Sequence, residues 1–529
     1  MKVLYVLKYI FTTMNTFQNT IFLQLISFIL FSAFENTATA QDLQEVEIDK
    51  EITEVQPMTG IVFWPGNSQV ETDAISLEFS YMLYNEIVSE KGVYDWSEVE
   101  TLLDEMAARN HQAVLRFRFT YPGKKTAVPD YIKALADYNE TEGTTEGQTT
   151  WFPDWTHQEL IDFTIEFYER YAEKYDGDPR LAFVQTGFGL WAEYHIYDGP
   201  SIIGETFPSK DFQASFFKHL DTLFVQTNWS ISIDAASSTY SPFSADPDLL
   251  NINFGLFDDS FMHSTHSGYN TQSWNFFDRE RYKTAPAGGE FSYYSDYDQK
   301  NVLNEDIGAY GIAFETFVED FHMSYINGND QNRYQSIDRI KDASMYMGYR
   351  FKINSFKTAS ANSIVEIKNV GVAPIYYDAY VTVNGVRATE SLKYLSPGEN
   401  LTCEIASGGS PSTLTIESDY ILPTQEIEYY GTVNEPYVYV PKDPEETLDI
   451  EKASPTAKNL QVMMSDDNII LKANDQELGY VIIYDLQGKI LMNLTLPSST
   501  QVSIPKSNIQ ASGILVIRTN LGSERILIK

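Results

Sequence analysis

Between Gln56 and Phe351 short apolar runs alternate with longer amphipathic ones, the pattern that parallel βα units produce. The apolar runs predict eight strands: Gly60 to Trp64, Leu77 to Tyr81, Ala113 to Phe119, Ala182 to Gly187, Ser230 to Asp234, Asn251 to Leu256, Ala285 to Glu290 and His322 to Tyr325. Amphipathic stretches predict helices over Trp96 to Asn110, Gln158 to Tyr175 and Asp211 to Gln226. In the first of these Val99, Leu102, Leu103, Met106 and Ala107 recur at helical spacing. About 300 residues for eight units predict an α/β fold, a (β/α)8 TIM barrel over 56–348, in preference to a doubly wound open sheet. From 349 to 432 the pattern changes to alternating strands without helices: Ser363 to Lys368, Ile375 to Val383, Leu401 to Ile405 and Thr413 to Ser418. These predict an immunoglobulin-like β-sandwich. Residues 433–458, rich in proline and acid, read as a linker, and 459–529 as a small second β-sandwich of short strands.

The ends of the chain supply an address. Lys2 and Lys8 precede an apolar run from Ile21 to Phe34, and Ala38-Thr39-Ala40 follows, the plan of a secretory signal over 1–40. The apolar stretch is about 14 residues, short of the roughly 20 that span a bilayer, so no transmembrane segment is expected in the mature chain. The chain should be secreted or attached to the cell surface. A formal charge of -37, from 74 acidic against 37 basic side chains, excludes a phosphate-backbone partner. A single cysteine, Cys403, excludes an intramolecular disulfide and a cysteine-rich zinc site.

The candidate chemistry lies where strands end. Glu193 follows the fourth strand and Glu290 closes the seventh, 97 positions apart, or three βα units of about 32 residues. Both fall on the rim where barrel enzymes carry their chemistry. Two carboxyl groups across a cleft are what glycosidic cleavage needs: one protonates the leaving oxygen while the other attacks the sugar carbon or activates water. Trp191 and Tyr194 surround Glu193 with apolar surface that favours a protonated general acid, whereas two glycines before Glu290 leave room for substrate. Arg116 and Arg118, two apart on the third strand, face the same side and would orient the glutamates; the competing reading makes them structural partners of those acids. His195, Asp234, Asp258, Asp259 and His322 complete the candidate binding set. Trp155 joins them from the long loop after the third strand, either to stack on a sugar ring or to pin the loop.

Several stretches carry a family resemblance. "YVIIYDLQGKIL" and "SGILVIRTNLGSERILIK" resemble the C-terminal sorting domain of the type IX secretion system in Bacteroidetes, with Leu515 where such domains usually carry Tyr. That resemblance implies the type IX machinery as a partner. The strand-four and strand-seven glutamates resemble the arrangement of clan A glycoside hydrolases, in which the first is acid/base and the second nucleophile. Tyr94-Asp95-Trp96-Ser97 and Val114-Leu115-Arg116-Phe117 are similar to the opening units of β-galactosidase-type barrels. "LRFRFTYP", "VPDY", "PDW", "KYDGDPRLAFVQTGFGLWAEYH", "GGEF" and "GYRF … NVGVAP" resemble a barrel-plus-sandwich family grouped with those hydrolases. The implied activity is a retaining glycosidase acting on an extracellular poly- or oligosaccharide; the alternative is a non-catalytic carbohydrate-binding or adhesion protein on a degenerate barrel. Ala192 stands where clan A enzymes place an Asn that binds the sugar 2-hydroxyl, so His195 or Asp234 would have to supply that contact.

No cofactor or metal is expected. Gly187-Phe188-Gly189-Leu190-Trp191-Ala192 matches a dinucleotide fingerprint, yet the following residues break at Gly199-Pro200 where a helix should open. His263 and His266 beside Asp258 and Asp259 lack a clear third ligand at metal-site spacing.

Overall fold

The computed structural model describes residues 43–439, save 196, 197, 265, 306 and 307, and 460–528, save 465–467, 474–476, 485–489, 510–512, 520 and 521. The signal segment and most of the linker therefore lie outside the described residues. The chain divides into two compact units, 1–441 and 442–529.

In the first unit eight parallel strands close into a barrel: β1 (Gly60–Phe63), β2 (Leu77–Leu83), β3 (Gln112–Arg118), β4 (Leu181–Gln185), β5 (Asn228–Ser232), β6 (Gly255–Phe261), β7 (Ala287–Phe291) and β8 (Met323–Asn327). All eight predicted strands are present. The largest shift is at β6, which starts four residues late because Pro247–Asn251 is wound into a 3-10 helix. In the outer layer run α1 (Ser97–Ala108) before β3, α2 (Gln158–Tyr175) before β4 and α3 (Lys210–Leu223) before β5, each presenting its apolar stripe to the barrel. Phe163, Phe167 and Tyr171 of α2 meet Tyr84 and Phe117 in a cluster of aromatic rings, and Phe216 of α3 packs on Tyr168. Burial of such large rings supplies most of the cohesion of this face.

Two antiparallel sheets follow the barrel. One joins Gln44–Glu45, Phe351–Thr358, Ser363–Asn369 and Asn400–Ile405, with Tyr429–Tyr430 along the second of these. The other joins Val386–Arg387, Tyr380–Val383 and Leu414–Glu417. The sandwich thus recruits a strand from ahead of the barrel, a pairing that local pattern does not reveal. It packs where the barrel strands begin: Val62, Leu77, Val114 and Ala182 share one apolar core with Phe351, Val365, Val381 and Ile416. That end is sealed, which leaves the opposite rim for function.

The second unit holds two sheets, ordered Leu460–Met464, Asn468–Ala473, Gln501–Pro505 and Ile490–Ser499, Leu478–Tyr484, Gly513–Thr519, Gly522–Ile528. Ile469, Leu471, Val481, Ile483, Leu515 and Ile517 form its core. No helix among the described residues is long and apolar enough to cross a membrane.

Candidate active site

Register places the first group of site residues. Tyr81 on β2 pairs with Arg116 on β3, and Arg116 with Gln185 on β4, so three polar side chains enter the barrel side by side. Arg116 is the hub. Its Nε and Nη2 donate to Gln185 Oε1 at 3.0 and 2.6 Å, and Nη1 donates to Glu193 Oε1 at 2.5 Å. The guanidinium lies 4.2 Å from the centre of the Phe257 ring, which shields it from water. Gln185 passes the network on by donating to the Tyr325 hydroxyl at 2.8 Å. Tyr325 reaches that point because β7 has glycine beside it: a Cβ on Gly288 would sit 2.2 Å from the Tyr325 ring.

Glu193 arrives differently from the way the sequence suggests. β4 ends at Gln185, and the next ten residues double back over the rim as a tight turn. Gly189 N–H donates to Glu193 O at 2.7 Å, Leu190 N–H to His195 O at 3.2 Å, and Trp191 N–H to Thr120 O at 3.1 Å. Gly187 and Gly189 permit this fold-back, since a Cβ on either would lie 2.3 Å from Ala192 O or 2.7 Å from His195 O. Trp191 and Ala192 both adopt left-handed backbone, with φ of 58° and 55°. Two consecutive non-glycine residues in that region store strain, and strain of this kind gathers where a side chain must be aimed. Here it aims Glu193 inward.

Strand alternation separates the two aspartates that the sequence groups together. Phe257 and Asp259 face the interior, and Asp258 between them faces the outer layer. Fully buried Asp258 accepts hydrogen bonds from Asn270 Nδ2 at 2.7 Å, Trp274 Nε1 at 2.9 Å and Ser260 N–H at 3.1 Å, with His266 Nδ1 3.4 Å away; it ties the chain after β6 to the barrel wall. Half-buried Asp259 shares a hydrogen bond with Glu193. The pairing of β6 with β7 slips between Asp258 and Phe261, and such irregularities re-aim side chains at barrel rims. From β7, Glu290 is half-buried and accepts from Asn327 Nδ2 at 2.6 Å, its in-register neighbour on β8.

Three carboxyl groups and one arginine therefore share a site. Burial raises Glu193 well above the carboxylate range, and the adjacent Asp259 charge adds to the effect; Arg116 opposes it without prevailing. Burial and the Asp258 charge also raise Asp259. Glu290 is pushed up to about 7 by burial, against the pull of Arg116 and the Asn327 hydrogen bond. His195 is lowered by burial, which keeps it neutral; its ring stands edge-on to Trp191 at 5.0 Å. Arg118, half-buried, lies over the Tyr121 ring at 4.5 Å. Asp234, buried after β5, has its backbone N–H held by Ser232 Oγ and acts electrostatically on Tyr294 at the mouth.

The structure gathers Glu193, Glu290, Asp259 and Arg116, with Arg118, Trp191, His195 and Asp234 around them. It does not bring in three others. Asp258 points away, as described. Trp155 is buried against Phe119, Phe188 and Phe212, so it pins the loop instead of offering a face to a sugar. His322 lies at the opposite end of the barrel: it caps the helix Phe314–Phe321 with φ of 53°, stacks 3.5 Å from the Tyr282 ring and donates from Nδ1 to Val372 O at 2.7 Å. It starts β8 and for that reason cannot reach a rim that β8 ends on. Sequence reasoning missed Gln185 and Asn327, each the last residue of its strand, and Tyr293 and Tyr294, exposed just beyond Glu290. Tyr293 lies in the field of Glu290, and Tyr294 in that of Asp259 and Glu193. Strand ends and the doubled aromatic after the glutamate were the signals available. No group of three His, Cys, Asp or Glu side chains able to hold a metal occurs among the described residues.

A closed parallel barrel carrying carboxylates on its C-terminal rim is the class that fold and site define. No family model matches the chain, and no curated protein matches it. Solved structures do. The catalytic domain of a β-amylase from Paenibacillus polymyxa is similar at TM-score 0.39 and 9% identity, covering 56% of this chain and 99% of that one. An α-galactosidase from Thermus thermophilus is similar at TM-score 0.34 and 9% identity, covering 58% and 64%. A xylanase from Paenibacillus barcinonensis is similar at TM-score 0.32 and 9% identity, covering 52% and 86%. The barrel is established by its own strand pairing.

Proposed function

We propose that the chain is an exported glycoside hydrolase of the two-carboxylate, retaining type, acting on an extracellular poly- or oligosaccharide. The observation that carries this reading is the convergence of Glu193 and Glu290 on Arg116, with the Glu193 carboxyl in the electrostatic field of Glu290. Glu193, kept protonated by burial and by Asp259, is the proton donor to the glycosidic oxygen. Glu290, closer to solvent and held in one orientation by Asn327, is the nucleophile toward the sugar carbon. Asp259 takes part by holding the Glu193 proton in place, and Arg116 by offsetting negative charge as it develops on Glu193. Tyr293 and Tyr294 supply exposed rings on which a sugar face can rest. Export follows the signal segment and the resemblance of 459–529 to type IX sorting domains.

Azide rescue tests the assignment of roles. Glu290→Ala with azide should yield a glycosyl azide of inverted anomeric configuration, and Glu193→Ala with azide one of retained configuration. Rescue of neither variant on any glycan that the unaltered chain cleaves would remove the two roles. A second reading, a non-catalytic glycan-binding barrel, is favoured by the depth of Glu193, 6% exposed and bound directly to Arg116 as a structural ion pair would be. Glycan affinity without any product over long incubation would decide for it.

A further inference from the structure

A second constellation lies just beyond β6, and nothing in the proposed glycosidase chemistry uses it. His263 and Ser264 precede a π-helical turn, His266–Asn270, and face the start of the short helix Asp296–Asn301. Ser264 Oγ is 3.3 Å from His263 Nε2, and the other ring nitrogen, Nδ1, is 2.6 Å from Asp298 Oδ2. A carboxylate only accepts, so the ring proton sits on Nδ1 and Nε2 is left as the acceptor for the Ser264 hydroxyl. Asp298 is fully buried and fixed on both oxygens. Ser292 Oγ donates to Oδ2 at 2.7 Å, and the Tyr310 hydroxyl donates to Oδ1. Burial alone would raise Asp298, but the hydrogen bonds from Ser292, Tyr310 and His263 outweigh it and hold the carboxyl below its ordinary range, hence ionised. Ser264 is exposed at the other end of the chain of contacts.

We propose that Ser264, His263 and Asp298 form a nucleophilic site that hydrolyses small O-acyl esters. Nucleophile, base and orienting carboxylate stand in the order, and at the ring nitrogens, that acyl transfer requires. Ser264 Oγ bonds to the ester carbonyl carbon as its proton passes to His263 Nε2. The imidazolium returns that proton to the departing alkoxide when the carbon–oxygen bond breaks. Water then adds to the acyl group with His263 again taking the proton, and Ser264 is released with its hydrogen, giving one acid and one alcohol per ester and water consumed. The Tyr310 hydroxyl gives its one hydrogen to Asp298, so its part is to fix the orienting carboxylate. The His263 ring lies 4.8 Å from the Tyr294 ring, and Tyr294 also lies in the field of Asp259 and Glu193. If the glycosidase reading holds, an acyl group on a saccharide resting on Tyr294 would therefore come within range of Ser264.

The test treats the full chain with a fluorophosphonate probe, maps the adduct by peptide mass spectrometry, and follows p-nitrophenyl acetate hydrolysis in the unaltered chain, Ser264→Ala and His263→Ala. The expected result is an adduct on Ser264, with hydrolysis falling about 100-fold or more in both variants. Ser264→Ala removes one exposed hydroxyl and should melt with the unaltered chain, so a failed fold does not confound it. Absence of an adduct on Ser264, or hydrolysis by Ser264→Ala at the unaltered rate, would overturn the proposal. Glycan turnover enters neither readout, so failure here leaves the glycosidase reading standing, and the reverse holds too.

Discussion

Glu193 and Glu290 carry the same functional group into different surroundings, and the difference sets their tasks. Glu193 is deep, touches a second carboxyl group and keeps its proton. Glu290 is shallower, has an amide donor beside it and sits at about 7. For Glu290 to attack it must be ionised, so activity should be lost as pH falls through that value and recover above it. We therefore expect kcat/KM on a cleaved glycan to show an acid limb near pH 7. The hydrogen bond from Asn327 favours the ionised form, so Asn327→Ala should move the limb upward, by about one unit. A pH–rate profile of the two proteins checks both statements; an unmoved limb would show that Glu290 is not the group being titrated.

At the level of elements the site depends on one turn. The segment from Thr186 to His195 must fold back on itself to swing Glu193 over Arg116, and Gly187 is where the space is tightest. Gly187→Ala would drive a methyl into Ala192 O, a clash that only movement of the turn relieves. We expect it to lower glycan turnover by at least about tenfold, since small misplacements of a reacting group are expensive, while circular dichroism shows the barrel intact. Full activity in this variant would mean that the position of Glu193 does not matter. Much of this architecture was legible in the chain. The apolar runs found every barrel strand, three of them set off by amphipathic helices before β3, β4 and β5, and strand ends pointed to Glu290. The path to Glu193 was not legible, because the turn is built from backbone hydrogen bonds and left-handed residues that leave no hydrophobic period. Nor was the separation of Asp258 from Asp259, which depends on where β6 begins. His322 was misjudged although its strand was placed to within one residue: it stands at the start of β8, and a residue there lies at the barrel end opposite the C-terminal rim.

Within the first unit the rim that carries the site lies opposite the sandwich, whose apolar packing seals the other end of the barrel. The second unit has a core of its own in Ile469, Leu471, Val481, Ile483 and Ile517. Ending the chain at residue 441 should therefore leave the melting transition of the barrel and its glycan turnover unchanged, while abolishing delivery to the cell surface in a host with type IX export. Calorimetry of the shortened chain and fractionation of the host check the two halves of that expectation. Loss of the barrel transition on truncation would show that the units do not fold independently.

Digestion of a glycan panel by the mature chain, beside Glu193→Gln and Glu290→Gln, is the most direct measurement of all. Release of defined oligosaccharides by the unaltered protein, with both variants reduced by about a thousandfold or more, is the result expected of an acid and a nucleophile acting on one bond. Product formation at undiminished rate in both variants would contradict it.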